Sequence, residues 1–265
     1  MRETATDVPC VEGVLHSVQV PVCDIRREPD GGLERQMLYG DGFRVLEPDS
    51  GDGYCFGQAQ DGGYVGYVLQ TDLGAYQMPS HIVCSMGAHV YPEPGLKTVP
   101  LMRLPFAGFL AVVGAENGYA KLATGGFVPL QQLAPIGRNF TDFVEVAERF
   151  LHVPYLWGGD SNTGLDCSAL VHISLRAQGV GAPRDSDLQE ESLGELLSPD
   201  TALQRGDLVF WKGHVGIMQN PEMLLHANAN FMAVTCEKLT EVCTRIEAAG
   251  DGMITSRRRL PAAVI

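Results

Sequence analysis

Leu165-Asp166-Cys167-Ser168-Ala169-Leu170 puts a cysteine at what reads as the first turn of a helix, and Gly213-His214-Val215-Gly216 follows 47 residues later in an apolar, strand-like run. Asp166 is a suitable N-cap, and Leu165 and Leu170 fall at the N′ and N4 positions of a hydrophobic staple. The helix should run from Cys167 to about Gln178, where Gly179 supplies the stop. After Gly206-Asp207 the pattern becomes short apolar runs: Leu208–Trp211, Val215–Gln219, Met223–Ala227 and Ala233–Cys236. These predict an antiparallel sheet after the helix, an α+β arrangement.

A thiol of ordinary pKa, ~8.5, is a poor nucleophile at neutral pH. The unpaired N–H groups and dipole of a helix N-terminus favour its thiolate, and a neighbouring imidazolium lowers the pKa further. His214 is expected to be that partner and the base, if its strand crosses the helix N-terminus. His226, 12 residues on, would orient the His214 ring through its second nitrogen. The backbone N–H of Cys167 and the Tyr155 hydroxyl are expected to meet the oxyanion. His16, His81, His89, His152 and His172 have no motif around them and read as surface or satisfied core positions. His172, five residues after Cys167, should face away from it.

Working outward, the 265 residues allow two or three small domains, or one large one. Hydrophobic residues make up 45% and charged residues 19%, a globular balance. The 31 Gly and 16 Pro are scattered as turn punctuation, which favours a β-rich chain. A formal net charge of −13 disfavours nucleic-acid and membrane-surface roles. Arg257-Arg258-Arg259, the one basic cluster, reads as the solvated face of a final strand. The cysteines at 10, 23, 55, 84, 167, 236 and 243 lack CxxC or CxxH spacing, so neither a disulfide framework nor a zinc site is expected. Cys55, Cys84, Cys236 and Cys243 read as core. Met1 to Cys10 lacks the basic and apolar regions of a signal peptide, and nothing approaches a span of about 20 apolar residues. The expectation is a cytosolic protein that uses no cofactor.

Five segments then carry a resemblance: Tyr155-Leu156-Trp157-Gly158-Gly159, Leu165 to Val171, Pro183-Arg184-Asp185-Ser186, Leu203 to Phe210, and Gly213-His214-Val215-Gly216-Ile217. Together they resemble the NlpC/P60 cysteine peptidases, whose catalytic domain has a papain-like α+β fold. Ala169 departs from the pattern, which usually has Gly there. The resemblance implies hydrolysis of peptidoglycan stem peptides at the γ-D-Glu–diamino-acid bond, with Cys167, His214 and His226 catalytic. It further implies that Arg184-Asp185-Ser186 resembles a segment that binds the free amino terminus of L-Ala in the murein-peptide-recycling subgroup. A carboxylate such as Asp185 facing an ammonium in a closed pocket would reject an acylated peptide. Asp166, Ser168, Tyr155 and Trp157 complete the implied substrate-binding set on this side. Trp157 lines the pocket or packs the two-Gly loop.

The first half holds a faint repeat. Phe43 to Leu73 and Phe109 to Leu133 each run as short alternating strands joined by Gly-containing turns. Both resemble bacterial SH3-like (SH3b) domains, with Asp61-Gly62-Gly63-Tyr64-Val65-Gly66-Tyr67-Val68 the better match. In the recycling subgroup such a domain adds a Tyr to the amine subsite. Tyr64 is the candidate, with Tyr54 behind it, and barrel packing is the alternative for both. Helix signals resume after Pro135-Ile136-Gly137, where Thr141-Asp142 can cap a helix carrying Phe143, Val146, Ala147, Phe150 and Leu151. The expected domains are therefore 1–76 and 77–135, two SH3b-like barrels, and 136–265, the peptidase.

Four functions fit these residues. The first is a cytosolic endopeptidase acting on free L-Ala-γ-D-Glu-diamino-acid peptides. The second is an exported wall-remodelling hydrolase that grips polymer through its SH3b-like domains. The third is a non-catalytic murein-peptide sensor, although a binding module has no need of this nucleophile–base set. An acyltransferase using the same covalent intermediate also fits. The sequence leaves open whether diaminopimelate or Lys is cleaved, the peptide length and the oligomeric state.

Overall fold

Alternation of buried and exposed side chains builds the first unit. The computed structural model describes residues 12–49, 51–137, 140 and 142–261. Thr141 and the whole segment read for an export signal, Met1 to Cys10, lie outside the described residues. Seven antiparallel strands (Val14–Val18, Val22–Arg26, Leu33–Leu38, Gly42–Glu47, Tyr54–Ala59, Val65–Leu69 and Leu73–Ala75) form one sheet. Their inward residues, among them Val18, Ile25, Met37, Phe43, Cys55 and Val68, make a separate core.

The second unit, from His81 to Pro135, is a set of shorter strands around Val83, Leu104, Leu110, Ala120 and Val128. The repeat is visible in both units as the same succession: three strands, a 3-10 turn and a short closing strand. The turns are Gln70–Asp72 and Leu130–Gln132, each with the following Leu folding its N–H back to the first turn residue.

In the C-terminal half, helix α1 spans Phe143–Glu148, and the Asp142 side chain accepts a hydrogen bond of 2.8 Å from the Val144 N–H. It ends sooner than its apolar spacing predicts. The N–H groups of Arg149 and Phe150 turn back three residues instead of four, tightening the last turn, yet Phe150 remains buried. Glu145 and Arg149 form the expected i,i+4 pair at 3.7 Å. Helix α2 spans Cys167–Ala177, with Asp166 capping the Ala169 N–H and Gly179 at φ +79° just beyond its end.

A six-stranded sheet packs on α2 in the order Glu195–Leu196, Ser256–Arg259, Leu208–Trp211, His214–Met218, Met223–Asn228, Ala233–Lys238. The four expected strands are there, within two residues at their ends. Two helices went unread: α3, Ser186–Ser192, and α4, Leu239–Ala249, which buries Val242. The arginine cluster does lie on a last strand, which sits inside the sheet, and its side chains are half-buried instead of fully solvated. Arg259 pairs with buried Asp207 at 2.7 Å, and Arg257 and Arg258 donate to backbone carbonyls.

One side chain fastens the three parts. Arg176, at the far end of α2 and 7% exposed, pairs with Asp41 and with Asp61 at 2.9 Å in the first unit. It also donates to the Ala107 carbonyl at 3.1 Å and lies 4.1 Å from the Phe109 ring in the second. The main core is continuous across that boundary, since Ile82, Phe106 and Ala107 pack with Phe143, Phe150 and Leu175.

Candidate active site

Asp166 organises the start of α2. Its carboxylate accepts from the Ala169 N–H at 2.8 Å, the Gly158 N–H at 2.9 Å, the Arg184 guanidinium at 3.0 Å and the Ser168 hydroxyl at 3.1 Å. Cys167 therefore begins the helix in a fixed frame. The His214 strand crosses that helix end, because the Val215 N–H reaches the Cys167 sulfur. Cys167, His214, His226 and Tyr155 all line one cavity of about 390 Å³, together with Lys212, Asn228, Arg245 and Asp251.

His214 Nε2 lies 2.8 Å from His226 Nδ1, and His226 Nε2 lies 2.9 Å from Glu237 Oε1. His226 is 1% exposed. Glu237 is held in turn by two bonds from Arg245, at 2.7 and 2.9 Å, and one from the Thr235 hydroxyl at 3.0 Å. Burial alone raises the Glu237 carboxyl, but these donors outweigh it and hold it at about 2.

The electrostatics differ from a resting ion pair. Burial and the Asp166 charge push the Cys167 thiol up to about 12. Burial and His226 push His214 down to about 3. Both shifts favour a thiol beside a neutral imidazole over a resting ion pair. Burial, with Cys167 and Asp166 nearby, lifts the Tyr155 hydroxyl to about 12, which keeps it a donor.

Residues 152–248 match the model described as "NlpC/P60 family", and residues 25–73 match the one described as "Bacterial dipeptidyl-peptidase Sh3 domain". Residues 152–248 are thus an NlpC/P60 domain. It is 29% identical over 198 residues to a gamma-D-glutamyl-L-lysine dipeptidyl-peptidase of Bacillus subtilis (strain 168), covering 68% of this chain and 65% of that one. It is 26% identical over 249 residues to dipeptidyl-peptidase 6 of Lysinibacillus sphaericus, covering 83% and 90%. The chain thus spans just under two thirds of the first relative's length. A crystal structure of an NlpC/P60 family protein from Bacillus cereus ATCC 10987 shares the fold, with a TM-score of 0.78 at 19% identity over 94% of this chain and 100% of that one. The SH3 match covers the first β unit only.

The other expected site residues divide into two groups. Asp166, Ser168 and Arg184 are 4 to 5% exposed and engaged by the protein's own groups. Arg184 donates to Asp166, to Ser168 Oγ at 3.0 Å and to the Gly159 carbonyl at 2.7 Å. They brace the Trp157-Gly158-Gly159 loop against α2, and Arg184 also lines a second cavity beside Arg35 and Tyr64. Asp185 precedes α3, Ser186 begins it, and both are half-buried. Trp157 is 54% exposed, on the rim and not packed under the loop.

Asp185 does not stand alone. Arg35 of the N-terminal sheet pairs with it, and the same guanidinium lies 5.3 Å from the Tyr64 ring and 5.7 Å from the Trp157 ring. Tyr64 donates its hydroxyl to Glu34 at 3.2 Å. The structure thus brings Asp185, Tyr64 and Trp157 together around a cation that sequence reasoning missed. Tyr54 is not among these contacts. Glu34, Arg35, Glu237 and Arg245 had no motif to mark them. For Glu237, hairpin register was the available signal, since His226 pairs with Thr235 and Glu237 shares the Thr235 face.

Proposed function

We propose that this protein is a cysteine peptidase that hydrolyses the γ-D-Glu–diamino-acid bond of murein peptides. The observation that carries the reading is the 2.8 Å contact between His214 and His226 in the cavity lined by Cys167. The name of the Bacillus subtilis relative supports the choice of bond. His214 takes the Cys167 proton while the sulfur attacks the γ-carbonyl carbon and the carbonyl electron pair moves to oxygen. The Cys167 N–H, unpaired at the first helical position, and the Tyr155 hydroxyl receive that oxyanion. His214 then gives the proton to the leaving amine, and water releases the thioester by the same path reversed.

The finer reading is recycling of free peptides with an N-terminal L-Ala, in the cytosol, the substrate ammonium being taken by Asp185 with Tyr64 beside it. A second carboxylate, Glu34, bonded to the Tyr64 hydroxyl and paired with Arg27 at 2.7 Å, supports it. In this reading 1–76 and 77–135 are SH3b-like domains, the second supported by its repeated succession of elements, and 136–265 is the peptidase.

An exported wall-remodelling hydrolase is the second reading. The Arg35–Asp185 pair favours it, because it already neutralises the carboxylate that would demand a free amine.

Incubation with L-Ala-γ-D-Glu-diaminopimelate and its N-acetylated analogue, followed by mass spectrometry, separates these readings. Cleavage of the free-amine peptide alone supports recycling, and equal cleavage of both supports wall remodelling. Turnover that survives Cys167→Ala overturns the peptidase mechanism itself.

A further inference from the structure

We propose that Glu237, clamped by Arg245, is a positioning residue that fixes the tautomer of His226 and so decides which nitrogen of His214 acts as the base. The inference rests on the reading of Cys167 and His214 as nucleophile and base, and on no particular substrate.

The argument is one of donors and acceptors. An ionised carboxylate only accepts. Glu237 Oε1 faces His226 Nε2 at 2.9 Å, so that nitrogen carries the hydrogen. A neutral imidazole has a single N–H, which leaves His226 Nδ1 bare. His214 Nε2, 2.8 Å from that bare nitrogen, must then donate to it. The lone pair of His214 is thereby confined to Nδ1, which becomes the base for Cys167. Reversing any one bond turns the next: with Nδ1–H on His226, His214 would present its lone pair to His226 and no base to the thiol.

The carboxylate is itself fixed. Asn228 donates to Thr235 Oγ1 at 2.8 Å, so the Thr235 hydroxyl hydrogen goes to Glu237 Oε1 at 3.0 Å. Arg245 donates to both carboxylate oxygens. Once His214 is protonated during attack, its Nε2–H still points to His226, and the negative charge of Glu237 steadies the imidazolium through that ring.

Two variants separate the acceptor from its charge. Glu237→Met removes both with little change of volume. Glu237→Gln keeps an acceptor oxygen for His226 and Thr235 and gives up the Arg245 Nη1 bond, because its amide nitrogen cannot accept that hydrogen. We measure kcat and KM for the γ-glutamyl peptide, the rate of Cys167 alkylation by iodoacetamide, and side-chain 15N–1H histidine spectra of the unmodified protein. The expected results are Nε2–H tautomers at both His226 and His214 and a fall of about 10- to 100-fold in kcat for Glu237→Met, with KM within about 2-fold, smaller than the loss on removing the direct orienter of a base. Alkylation should slow in parallel, and Glu237→Gln should recover most of both rates. A protonated Nδ1 on His226 in the unmodified protein overturns the inference, as does Glu237→Met holding both rates within about 2-fold. The spectra stand even if Glu237→Met fails to fold. If the tautomers and alkylation behave as expected while no γ-glutamyl peptide is cleaved, the substrate reading fails and this one holds.

Discussion

Arg35 and Asp185, 150 residues apart in the chain, form an ion pair that joins the N-terminal sheet to the start of α3. Arg35 is 9% exposed and has Asp166 within 3.7 Å as well. Burial, followed by the neighbouring Arg184 charge, lowers its pKa, while Asp166 works against that. A substrate ammonium arriving at Asp185 must share the carboxylate with this guanidinium.

That sharing gives a first test. A hydrogen bond to a charged partner contributes about 1.5–3 kcal/mol. Asp185→Asn is expected to cut kcat/KM for L-Ala-γ-D-Glu-diaminopimelate by about 10- to 100-fold while leaving the N-acetylated peptide almost unchanged. Equal losses on both peptides would show that Asp185 supports the loop without reading the amine.

The pH dependence of kcat follows from the resting protonation of the pair. The active form has neutral His214, whose pKa is lowered to about 3, and protonated Cys167, raised to about 12. Raising the pH from 4 through the ordinary histidine range near 6.5 changes neither group, so kcat should be flat across that range. Using kcat avoids titration of the free peptide's amine. An acid limb near pH 6 to 7 that tracks protonation of His214 in side-chain 15N–1H spectra would refute the neutral pair.

His172 gives a prediction for stability. It lies 3.3 Å from Asp61 and 3.8 Å from Asp160, with Arg176 and Arg184 paired to the same carboxylates. Burial lowers its pKa, but Asp61 and Asp160 outweigh that and raise it to about 9. A folded pKa above the unfolded value near 6.5 stabilises fully below pH 6.5, and the gain is lost as pH rises through 9. The magnitude is on the order of 3 kcal/mol. Urea unfolding at pH 6 and pH 9 should show a larger loss in the unmodified protein than in His172→Gln. Identical losses would remove His172 from the account.

Gly158 holds the loop against the N-terminal sheet. Its φ is +75°, and an added Cβ would sit 2.8 Å from the Glu34 carbonyl oxygen. Gly158→Ala is expected to destabilise by about 1–3 kcal/mol, from left-handed strain plus displacement of that contact. Because Trp157 precedes it on the rim, KM should rise as well. Denaturant melts and initial rates measure both effects, and wild-type values for each would contradict the close approach.

Much of this was legible because it is local. The Asp166 cap, the α2 span, the Gly179 stop and the strand runs after Gly206 depend on neighbours within a few residues. Helix α4 was missed because its buried side is narrow, with Val242 its one fully buried residue, so the 3.6-residue period is faint. The motif around Asp166, Ser168 and Arg184 was visible, but its burial was not. Side chains of that chemistry serve a cleft or brace a loop equally well until the packing is known.

The sequence by itself determined the nucleophile's helix, the histidine-bearing hairpin strands and the alternating N-terminal units, since capping, staples and side-chain period are written in adjacent residues. Tertiary structure decided that Arg35 meets Asp185, that Arg176 binds Asp41 and Asp61, and that Glu237 rather than solvent stands behind His226. Those contacts depend on strand register and domain docking. Both are fixed by the sum of many distant burials, and no local pattern encodes that sum.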